Sequence, residues 1–137
     1  MNEQEAVYPI YTENDVYKEL AAIAKNAGIK IEYHEKPDEN TIGTAKAREY
    51  GEPIVTMMAN HDYGTQEFAA FALAHEIAHV LTDGFYGDGA QHFYRDKMHV
   101  RCFVEADADK VGAALYSLAE MTAIYKAESV LHDTEEV

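Results

Sequence analysis

The feature that most constrains this chain is the run Phe71-Ala72-Leu73-Ala74-His75-Glu76-Ile77-Ala78-His79. It lies in an apolar stretch from about Thr65, a fitting N-cap, to about Thr82, with Asp83-Gly84 to end it. Phe68, Phe71, Ala72, Ile77, Ala78, Val80 and Leu81 leave such a helix few exposed positions, so the spacing predicts a central buried helix. Two histidines and a glutamate buried there without partners would cost on the order of several kcal/mol. A metal site explains their presence. Four residues of helix advance about 400°, which places His75 and His79 about 40° apart on one face and one turn along the axis. Both imidazoles can then reach one tetrahedral zinc ion, with Glu76 on the flank to hold and deprotonate a water.

A catalytic zinc centre of this type needs a third protein ligand and an open fourth position. Downstream, Glu105-Ala106-Asp107-Ala108-Asp109 falls in a helical segment. The small alanines beside the acids would let this helix approach the one carrying His75 and His79. Glu105 and Asp109 are four apart and share a face. Alone, the run reads equally as a solvated acidic face. After the histidine motif, we read Glu105 as the third ligand. Asp109 is then the carboxylate that accepts a hydrogen bond from a ligand imidazole and so fixes its orientation.

The rest of the chain supplies a scaffold. Residues 1–11 read as a lead-in. Thr12 reads as the N-cap of a helix over about 13–27, with Val16, Leu20, Ile23, Ala24 and Ala27 at helical spacing and Gly28 as its C-terminal stop. Ile29 to Tyr33 alternates apolar and polar, the period of a strand. Thr41 to Ala47 reads as a second strand, weakened or bulged at Gly43, and Ile54 to Met58 as a third. After a loop over 84–95, two further helices are expected, at about 97–118 and 119–131, with a frayed tail at 132–137. Strands early and helices late argue for an α+β fold: an N-terminal helix, a small three-stranded sheet, and a central helix packed against one or two C-terminal helices. At 137 residues the chain fits a single domain able to bury roughly two-thirds of its unfolded surface.

These residues resemble the ImmA/IrrE family of metallopeptidases. Phe71 to His79 is similar to that family's F-x-x-A-H-E-(I/L)-G-H helix, and Glu105 to Gly112 to its E-x-E-A-N-x-F-A segment; a strand ahead of the helix, here Ile54 to Met58, also fits the family's order. The resemblance covers roughly residues 50–116. It implies a zincin-like, gluzincin-type endopeptidase with one zinc per chain, His75, His79 and Glu105 as ligands and Glu76 as general base. It also implies a substrate such as the helix-turn-helix repressor of a phage or mobile element. The chain departs from the family pattern at Ala78 for Gly, Asp109 for Asn, and Val111-Gly112 for Phe-Ala. Asp109 makes the Glu105–Asp109 pair more like the Glu-x-x-x-Asp arrangement of thermolysin-like enzymes. None of these departures falls on a proposed ligand.

Charge bears on partners. Eleven Lys and Arg against 25 Asp and Glu give a formal net charge of −14. Direct binding to nucleic acid is not expected, because it needs clustered cations. A basic protein partner and a metal ion are favoured instead. One cysteine excludes an intramolecular disulfide and a multi-cysteine zinc site. No apolar run is long enough for a membrane span, and the acidic start carries no signal-peptide pattern, so a soluble, cytoplasmic protein is the expectation. The mechanism expected is a one-zinc hydrolysis, in which Glu76 takes a proton from the attacking water and passes it to the leaving amine. An extended substrate is expected to add to an edge of the sheet at the 54–58 strand.

Tyr86, His92, Tyr94 and His99 lie between the two motifs and are candidates for a second electrophile, although each reads more simply as a loop or packing residue. His99, six before Glu105, would face away from it on one helix. Cys102 can face the cleft but reads as a small buried hydrophobe. His61 reads as structural, and His34 and His132 have no partner pattern. A second function class stays open: a zinc-stabilised antirepressor that sequesters a basic DNA-binding protein without cutting it. Glu76 distinguishes the two, since a pure binder has no chemical need of that acid. A protease with a wholly different target is a third.

Overall fold

The first helix starts later than the sequence suggests, because two good capping residues compete. In the computed structural model, which describes residues 9–35, 43–46, 51–59, 63, 65–82 and 98–135, the Thr12 hydroxyl donates to the Pro9 carbonyl at 2.7 Å. It is spent inside a 3-10 turn, Ile10–Glu13. Asn14 is the cap: its side chain accepts the Tyr17 N–H at 3.0 Å, and α1 runs Asp15–Asn26. Tyr17, Leu20 and Ala24, at i, i+3 and i+7, form its buried face. Gly28 follows with φ 77°, the left-handed conformation that ends a helix and that glycine adopts without penalty.

Three strands follow: β1 (Lys30–His34), β2 (Gly43–Lys46) and β3 (Ile54–Met58). Their order in the sheet is β1-β3-β2. β3 pairs in parallel with β1, Lys30 opposite Ile54, and antiparallel with β2, Gly43 opposite Met57. The 54–58 strand is therefore hydrogen-bonded on both sides and offers no edge to a substrate; among the described residues the edges belong to β1 and β2. Val55 and Met57 alternate onto the core face and are fully buried, as period 2 requires.

α2 (Gln66–Thr82) packs against β2 and β3. Thr65 caps it, accepting the Phe68 N–H at 3.0 Å. Ala69, Ala70, Leu73, Ala74 and Ile77 belong to the core cluster with Leu20, Val55 and Met57, and Ala78 is buried as well. Burial of a side chain such as Leu73 or Ile77 contributes about 1.5–3 kcal/mol. The helix is less enclosed than its composition suggests: Phe68, Phe71 and Leu81 are exposed.

The expected pair of C-terminal helices is one helix, α3 (Met98–Glu135), of 38 residues and about 57 Å in length. Ser117-Leu118-Ala119-Glu120 contains no glycine or proline to stop it, and every residue there tolerates helix. α3 lies along α2 and then along α1. Ala108, Gly112 and Ala119 are buried; Lys126 reaches Glu19 of α1 at 2.7 Å. The architecture is α+β. Among the described residues no helix is long and apolar enough to cross a membrane.

Candidate metal centre

The two helices bring His75, His79 and Glu105 together. His75 Nε2 lies 3.1 Å from His79 Nε2 and 3.1 Å from Glu105 Oε1, and His79 Nε2 lies 3.4 Å from the same oxygen. Three donor atoms in one small triangle match what a tetrahedral ion demands. Zinc bonds of about 2.0–2.2 Å put neighbouring ligand atoms about 3.3–3.6 Å apart. The observed edges agree to within a few tenths of an ångström. Among the described residues this is the one group of three or more potential ligands able to hold an ion.

Hydrogen-bond chemistry leads to the same point. Asp109 Oδ1 sits 3.0 Å from His75 Nδ1, so Nδ1–H donates there and the neutral ring presents a lone pair at Nε2. That lone pair faces the Glu105 carboxylate at 3.1 Å. Two acceptors this close need a cation between them, either a proton or a metal ion. Without metal the proton serves. The hydrogen bond to Glu105 raises the His75 pKa, helped by the charges of Glu76, Glu105 and Asp109, against burial. The same contacts, with His75 first and His79 second, hold the Glu105 carboxyl well below the usual range.

Glu76 sits next to the first histidine but on a different face of α2, and it is only 7% exposed. Burial raises its pKa, while the neighbouring histidines pull it down. Among the described residues no hydrogen bond partners its carboxylate, so it is a buried, desolvated acid one residue from His75. Sequence reasoning missed Tyr63. This buried residue accepts the Met58 N–H at its hydroxyl, 3.2 Å away. Burial pushes its phenol up, and so does the negative field of Glu76, while the Met58 N–H pulls it down. Its signal in the sequence was faint: one aromatic residue in a polar turn, just ahead of the cap at Thr65.

The other sequence candidates divide. Tyr86, His92, Tyr94 and His61 lie outside the described residues. His99, Cys102 and His132 fall on turns of α3 described by backbone alone. His34 is exposed and bonds Glu32 at 3.0 Å, a pairing across two residues of β1 that the sequence reading did not anticipate. Of the two alanines expected to ease helix approach, Ala108 is buried in that role and Ala106 is exposed.

Compared with family models, with curated proteins and with solved structures, the chain matches none.

Proposed function

We propose that this protein is a zinc-dependent endopeptidase, zincin-like in the packing of its sheet, α2 and α3. The observation that carries the reading is the triangle of His75, His79 and Glu105 with a buried carboxylate, Glu76, one residue from His75 and unpartnered among the described residues. A divalent ion held by those three residues supplies a Lewis acid that activates a water and polarises a carbonyl. Glu76, desolvated and with its pKa raised, takes a proton from the attacking water and delivers it to the leaving amine. Asp109 keeps the His75 ring in the orientation that presents Nε2.

An extended substrate segment has an edge strand against the helix that carries the histidines. β2 packs against α2 and, among the described residues, pairs on one side only, with β3, so its outer edge accepts a peptide by strand addition. The net charge of −14 favours a basic substrate protein. Together with the resemblance of the two motifs to the ImmA/IrrE family, this makes a basic helix-turn-helix repressor the first substrate to try.

The test is incubation of the zinc-loaded protein with candidate basic repressors, wild type beside Glu76→Gln. Cleavage by wild type alone supports the peptidase. Tight binding of a repressor by both proteins, with cleavage by neither, would make the protein a sequestering antirepressor instead.

A further inference from the structure

Gly112 stands inside α3, between Val111 and Ala113-Ala114, where nothing interrupts the helix. Glycine weakens a helix interior relative to alanine, so its presence here calls for a reason in packing. A Cβ built at this position would lie 3.1 Å from His75 Cα, 3.2 Å from His75 N and 3.4 Å from the Ala74 carbonyl carbon. All three are backbone atoms, which have no rotamer with which to yield. The missing side chain is what lets α3 rest on α2, and it does so at the residue that carries the first histidine.

The consequence reaches both carboxylates. Glu105 and Asp109 precede Gly112 by seven and three residues and share its side of the helix. They are also the groups that meet His75 Nε2, at 3.1 Å, and His75 Nδ1, at 3.0 Å. One contact point therefore sets the reach of a ligand and of the acid that orients its partner.

We propose that Gly112 is a positioning residue of the metal centre, fixing the α2–α3 separation at which Glu105 closes the triangle with His75 and His79. This rests on the metal-binding reading above. Alanine at 112 must displace one helix by a few tenths of an ångström. Metal–ligand distances are held to about 0.2 Å, so the centre feels a displacement that a helix interface absorbs. Helix propensity acts in the opposite sense, because alanine favours α3 itself. The metal-free fold is kept while metal affinity falls, and a purely structural glycine would not separate the two.

The experiment uses the full chain as wild type, Gly112→Ala and Gly112→Val, with Ala113→Val, at an exposed neighbouring position, as control. Zinc affinity is measured by chelator competition, site geometry by the absorption spectrum of bound Co²⁺, and the fold by thermal unfolding of the metal-free proteins. Expected are zinc affinity about tenfold weaker in Gly112→Ala and weaker again in Gly112→Val, altered Co²⁺ bands in both, and no change in Ala113→Val. Metal-free Gly112→Ala should unfold at or above the wild-type temperature. Wild-type affinity and spectrum in both Gly112 variants would overturn the proposal. So would loss of cooperative unfolding in metal-free Gly112→Ala, which would make the glycine structural. Failure of wild type to bind either ion is a separate result: it removes the metal reading, and this inference with it.

Discussion

Asp109 Oδ1 lies 3.0 Å from His75 Nδ1, while Glu105 meets the other nitrogen of the same ring at 3.1 Å. One imidazole is thus held at both ends by carboxylates four residues apart on α3. The Asp109 contact fixes the tautomer that leaves Nε2 free for a metal. Asp109→Ala, which removes the acceptor, should therefore weaken zinc binding by about 10–100-fold with the fold intact, as read by chelator competition. Equal affinity would show that Asp109 does not orient the ring.

Zinc affinity should fall as pH falls. In the metal-free protein the hydrogen bond to Glu105 lifts the His75 pKa above its ordinary 6.5, and that proton occupies the place a metal would take. Below the raised pKa each pH unit should weaken apparent zinc binding by about tenfold, one proton being released per ion. The metal-free fold responds oppositely: the stability His75 contributes is complete below 6.5 and is lost as pH rises through the raised value. Calorimetric titrations between about pH 8 and about pH 5.5 check the first statement. A flat affinity across that range contradicts it.

Much of this site was legible because local spacing encodes it. His75 and His79 had to share a helix face, and Glu105 and Asp109 had to share another, whatever the rest of the chain did. Gly28 and Thr65 marked helix ends by conformational and capping preferences that act within a few residues. What escaped depended on a choice between competing local partners or on distant ones. Nothing local distinguishes Thr12 from Asn14 as a cap until Pro9 engages the Thr12 hydroxyl. Strand order is a tertiary choice, so the central place of β3 could not be read from its residues. The union of the two expected helices into α3 was readable, since no breaker separates them. Gly112 was visible as a departure from a family pattern, yet its purpose lies in the backbone of His75.

Glu76→Gln should abolish hydrolysis and spare the metal. Loss of a general base costs about 10²–10⁴-fold in rate. The stability effect has the opposite sign. Burial raises the folded pKa of Glu76 above 4.5, so its favourable contribution is complete below 4.5 and is lost as pH rises through the folded value. Wherever the group is ionised it burdens the metal-free fold, and at pH above the folded value glutamine should raise the unfolding temperature. A lower unfolding temperature in the metal-free variant would contradict this placement of the carboxylate.

Alkaline pH should unfold the protein through its tyrosines. The Tyr17 hydroxyl, buried and 2.9 Å from that of Tyr33, has its pKa raised above 10.0 by burial first and by the Tyr33 hydrogen bond second. The unfolded chain ionises near 10.0 and the folded one higher, so stability holds below pH 10 and declines above it. Tyr17→Phe should lose about 1 kcal/mol at neutral pH through the missing hydrogen bond and show a smaller further loss between about pH 8 and about pH 11. Urea midpoints at the two pH values decide, and parallel losses in both proteins would exclude Tyr17 as the titrating group.

The central claim is that His75, His79 and Glu105 hold a metal ion. Metal content of the purified protein by mass spectrometry, with His79→Ala measured alongside, tests it most directly. About one zinc per wild-type chain is expected, and none in the variant. Wild-type protein without metal, even after zinc is restored, would contradict it.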